Sequence, residues 1–131
     1  MKRLSSLFAA TACSAAVLVS AGQASAHHSF AMFDRAAITQ VTGTVKEVQW
    51  ANPHVWIQLV SNDEKTGVPV EWSIEGGSIN MLEREGGWKR STLQIGDKVT
   101  IYMHPLLDHK PGGELVNAMV KGKLVGSAPV K

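Results

Sequence analysis

His27, His28, His54, His104 and His109 are the side chains of this 131-residue chain with the most capacity for ligand chemistry. His27 and His28 follow directly on Ala24-Ser25-Ala26, the small-x-small pattern at which secretory signals are cut. A cut after Ala26 leaves a free α-amine on His27, and that amine and the imidazole Nδ1 can close a chelate ring on one metal ion. A third nitrogen from His104 completes a T-shaped set, the arrangement called a histidine brace. Nitrogen ligands in tetragonal geometry favour Cu(II), which also stands highest in the divalent affinity order.

Gly22-Gln23-Ala24 offers a second cutting register, which leaves Ser25-Ala26-His27 at the front. A histidine in third place builds a different Cu(II) chelate, from the amine, two deprotonated amides and the imidazole. The expected metal ligands are therefore His27, His28 and His104, with His109 and His54 in second rank. In a barrel, the end of the fourth strand and the start of the first share a rim, which favours His104 and His109. His54 opens the second strand and is expected toward the opposite rim. Met32 and Met103 are possible soft ligands, although methionines on alternating strands more often belong to the core. Against the metal reading stands a plain one, in which a histidine pair after a signal is an accident of a flexible end, His54 bonds its turn and His104 caps a strand.

Other chemistry is sparse. No His-Glu-x-x-His or similar spacing is present. Ser29 beside His28 has no third member for a nucleophilic triad, so no catalytic constellation is recognised. Glu71 and Glu75 fall on the polar alternation of a strand and read as a solvated face. Trp56 shares a strand face with His54 and Gln58, and an outward aromatic with polar neighbours is a platform for stacking on a ligand. The plainer expectation for Trp56 is that it covers the barrel under the N-terminal segment.

The elements that must position these residues begin after a targeting segment. Lys2 and Arg3 precede an apolar run over residues 7–19, too short for the ~20 residues of a membrane span. Residues 1–26 thus read as a signal peptide, and localisation in the periplasm or outside the cell follows. Cys13 lies inside that segment, so the mature chain has no thiol for disulfides, thiolate zinc sites or cysteine nucleophiles. Removing 26 of 131 residues leaves 105, enough for one domain over 27–131. Two of the 13 Lys+Arg leave with the signal, so 11 basic residues face 11 acidic ones and no nucleic-acid footprint remains.

After an N-terminal extension over residues 27–40, residues 41–60 read as two strands around Ala51-Asn52-Pro53, with Val55, Ile57 and Leu59 on one face. A turn over 61–67 leads to a third strand carrying Val70, Trp72 and Ile74 on one face. Ser78 is placed to cap a short helix that Gly86 and Gly87 end. A fourth strand alternates Val99, Ile101 and Met103 with Thr100, Tyr102 and His104, and a fifth covers residues 114–125. Three strands, a short helix and two strands describe an all-β domain of OB type, a five-stranded Greek-key barrel; a small β-sandwich is the alternative.

His27-His28-Ser29-Phe30, Gly43 to Val48, Asn52-Pro53-His54, Trp72 to Gly77, Gly96 to Val99 and His104-Pro105 together resemble a family of small exported bacterial proteins of unknown function, found mostly in proteobacteria. The resemblance implies the compartment and a small β-barrel and carries no activity or functional residue across. Its pattern includes His27, His28, His54 and His104 and leaves out His109. The expected function is that of a non-enzymatic periplasmic binding protein with copper(II) at the N-terminal histidines. The alternative is a metal-free module that takes an organic ligand or protein partner on the Trp56, His54 and Gln58 face. A copper-dependent oxidase ranks third.

Overall fold

In the computed structural model, residues 30–127 are described; His27, His28 and the expected signal segment lie outside them. A short 3-10 turn, Phe30–Met32, leads into strands β1 (Thr39–Gln49), β2 (Trp56–Asn62) and β3 (Pro69–Glu75). Helix α1 (Ile79–Gly86) follows, and then β4 (Lys98–Pro105), β5 (Gly112–Val120) and β6 (Lys123–Gly126). The order across the sheet is β3-β2-β1-β4-β5-β6, and β3 also pairs with β5 in parallel. That last pairing closes five strands into a barrel of OB type and excludes the sandwich, while β6 extends the sheet as a hairpin partner of β5.

The alternation in the strands fills the barrel. Val41 and Val45 of β1, Ile57 and Leu59 of β2, Ile74 of β3 and Val99, Ile101 and Met103 of β4 are all buried inside it. Met103 is thereby a core residue with no access for an external ion, whereas Met32 is exposed. The bulge between Val45 and Glu47 inserts Lys46 as an extra residue, so that Val45 and Val48 both face inward. Leu82 of α1 and Trp88 behind it stopper one mouth of the barrel.

Closure between β3 and β5 depends on the absence of side chains at Gly112 and Gly113. A Cβ on Gly112 would stand 2.7 Å from the Ser73 carbonyl oxygen, and one on Gly113 would collide with that of His104.

The single fifth strand expected over residues 114–125 is instead two strands. Lys121 and Gly122 both take positive φ, 48° and 78°, which reverses the chain in a two-residue hairpin turn. Thus Met119 pairs with Leu124, and Ala118 with Val125.

Helix α1 has the expected caps. The Ser78 hydroxyl accepts from Met81 N at 3.3 Å, and Gly87 at φ 68° ends the helix. The carbonyl oxygen Oδ1 of Asn52 accepts from Ile79 N at 3.0 Å, so the loop before β2 holds the start of the helix as well.

Candidate functional site

Residues paired directly across a ladder project to the same face of a sheet. Followed around the barrel, one ladder runs Gln49–Trp56–Glu75–Glu114–His104. The next residue of β4, Met103, pairs with Thr39 at the far end of β1. The sheet therefore returns to its first strand almost one strand length displaced, as the tilt of a small barrel requires. Because Ile57, Ile74 and Met103 point inward, their neighbours Trp56, Glu75 and His104 point outward along this row.

The shear alters the expected place of His54. His54 immediately precedes β2 and its Nδ1 donates to Oε1 of Glu75. Glu75 and His104 are each one strand from Glu114, so they stand about 10 Å apart along the sheet rather than on opposite rims. Nor is Glu75 a solvated group: its side chain is 7% exposed, and its Oε2 has no hydrogen-bond partner. Glu71, two residues earlier, does face solvent, in an ion pair of 2.7 Å with Lys46.

Glu114 is held by Arg35 in a bidentate contact, with Nη2 at 2.5 Å from Oε1 and Nε at 3.0 Å from Oε2. Arg35 comes from the N-terminal segment, which is fastened to the start of the β4–β5 loop. Asp34 N donates to the Pro105 carbonyl at 2.8 Å, Leu107 N donates to that of Met32 at 3.0 Å, and Phe33 bridges to Leu106. Residues 32–34 thus run beside the end of β4, and among the described residues none of the N-terminal segment lines the groove at Trp56.

His104 is the best-defined ligand candidate among the described residues. Its Nδ1 lies 2.7 Å from the Ala37 carbonyl oxygen. A carbonyl can only accept, so the proton is on Nδ1, and in the neutral ring the lone pair is on Nε2. That backbone anchor is the usual partner of a metal-binding imidazole, since it sets both tautomer and ring orientation. His104 also lines an open groove of about 490 Å³ with Arg35, Met81, Glu85, Glu114 and Ser127.

His109 sits in the β4–β5 loop at φ 59°, exposed, with its N–H on the Leu106 carbonyl. Beside it, the backbone N–H of Lys110, followed by its ammonium, holds the Asp108 carboxyl below the usual range. Among the described residues no three of His, Cys, Asp and Glu come together as a metal cluster. His27 and His28, the other expected ligands, lie outside those residues.

Trp56 is half-buried on the outer face. With Glu47, Gln49, Gln58 and Ser73 it lines a second open groove of about 250 Å³, where Gln58 Nε2 donates to the Ser73 hydroxyl at 3.1 Å. His54 belongs to the neighbouring contact with Glu75 and not to the lining of this groove. The Glu75–His54 pair was not legible beforehand; its one signal is that Glu75 and His54 both belong to the segments that carry the family resemblance.

These features define a small closed β-barrel with an outward groove at His104 and another at Trp56. The family model described as "Family of unknown function (DUF6152)" matches residues 15–115, and the chain belongs to that family. A comparison with curated proteins gives no match. Among the described residues, no helix is long and apolar enough to cross a membrane.

Proposed function

We propose that the chain is exported, cut before His27, and acts in the periplasm as a non-enzymatic copper(II)-binding protein. The amine and imidazole of His27 supply two nitrogens and Nε2 of His104 supplies the third, with His28 adjacent. The carrying observation is the hydrogen bond from His104 Nδ1 to the Ala37 carbonyl, which leaves Nε2 as the coordinating atom. The length of the chain supports the reading. Phe33 is held beside Leu106, Phe30–Met32 form a 3-10 turn, and the three residues from there back to His27 can add a reach of ~10 Å. That reach covers the distance from Leu106 to the ring of His104, two residues away in the chain.

The exported protein should begin at His27 by mass spectrometry and bind one equivalent of Cu(II) in a calorimetric titration. A first residue of Ser25 with one bound Cu(II) would assign the metal to the amine-amide chelate instead, and the absence of stoichiometric binding would remove copper from the function.

A second, metal-free reading has its own support. The groove at Trp56 combines an aromatic face with two amides, a hydroxyl and a carboxylate, the composition of a site for an organic ligand.

A further inference from the structure

Resting on that second reading, we infer that the Trp56 groove selects small organic cations, of the ammonium or trimethylammonium class. Its lining, Glu47, Gln49, Trp56, Gln58 and Ser73, contains no Lys or Arg. The Glu47 side chain has no ion pair or hydrogen bond among the described residues, so its charge is available to a ligand. Lys46, its neighbour in the chain, is turned to Glu71. The face of an indole attracts a cation through its quadrupole, and the Glu47 carboxylate beside it adds to that attraction.

A second carboxylate, Glu75, lies behind the groove rather than in its lining and is the independent observation. Glu75 is the direct ladder partner of Trp56 and projects to the same face. It is more than nine-tenths buried, and one of its oxygens lacks any hydrogen-bond donor. A buried oxygen in that state is strongly destabilising by itself, and a nearby positive charge offsets part of the cost. The same negative field disfavours phosphates, which separates this groove from the nucleic-acid platforms of other OB barrels. Gln49 and Gln58 flank the ring and supply carbonyl acceptors for the N–H groups of a primary ammonium.

The test compares choline with 3,3-dimethylbutan-1-ol, an uncharged alcohol of nearly the same shape, by 1H–15N NMR of the processed chain at pH 8. Choline should shift the Trp56 indole resonance saturably, and the alcohol should bind at least several-fold more weakly. Glu47→Gln should weaken choline by about 2- to 5-fold, the range of one solvent-exposed ion pair. Trp56→Leu should abolish the effect while leaving the other amide resonances dispersed. Equal saturable binding of both compounds would overturn the cation preference and leave the groove as a site for neutral ligands. No shift with either compound would overturn the groove reading itself.

Discussion

His54→Ala is expected to destabilise the fold by about 2–3 kcal/mol, although His54 lies outside every strand and is one-third exposed. The size of the effect comes from its partner. Glu75 is buried, its Oε2 is already without a donor, and removal of the imidazole leaves Oε1 without one too. A buried carboxylate with neither oxygen satisfied must find water, take up a proton or force the end of β3 open. In a domain of this size the loss corresponds to a fall in Tm of roughly 10–20 °C. Removing both members, as His54→Ala with Glu75→Ala, should recover part of the loss, because no buried charge then remains. Thermal unfolding of the two variants checks this. A single variant within about 0.5 kcal/mol of the parent would show that Glu75 is satisfied without His54.

His104→Ala carries the second large effect, this time on Cu(II) affinity. Replacing even an outer partner of a metal ligand costs 10- to 100-fold, so removal of a direct nitrogen should cost about 100-fold or more. The fold should lose only about 1 kcal/mol, the worth of one ordinary hydrogen bond to the Ala37 carbonyl. Calorimetric titration of the variant separates the two processing registers. A chain that begins at Ser25 completes its square of nitrogens without His104, so its affinity would not change. A chain that begins at His27 needs the third nitrogen, and its affinity falls.

The barrel was readable wherever the rule is local. Val99, Ile101 and Met103 alternate with polar neighbours, and the structure buries those three. Ser78 and the glycine pair after Glu85 bound the helix as expected. The reversal at Lys121 was not readable, because Lys-Gly is a faint turn signal between two apolar runs, and only the backbone angles expose it. Glu75 was misjudged for a different reason. Period-two alternation says which face a side chain leaves from, and Glu75 does leave from the outer face; its burial comes from a residue before the preceding strand.

The relation between His54 and His104 has the same origin. Their separation depends on the tilt of the barrel, which is set by the pairing of β3 with β5 some forty positions apart in the chain. At the proposed copper site the shared rim of β1 and β4, where Thr39 pairs with Met103, was legible. The tautomer of His104 was not, since it is decided by a carbonyl 67 positions away.

The most direct measurement compares two chains in Cu(II) titration, one that begins at His27 and one that begins four residues earlier at Gln23. In the longer chain every side chain of the barrel is retained, but the α-amine can no longer close a ring with the imidazole of His27. The affinity of the longer chain is expected to be lower by about 100-fold or more, as for the loss of a direct ligand. Equal affinity in the two chains would contradict a copper site built on the free amine of His27.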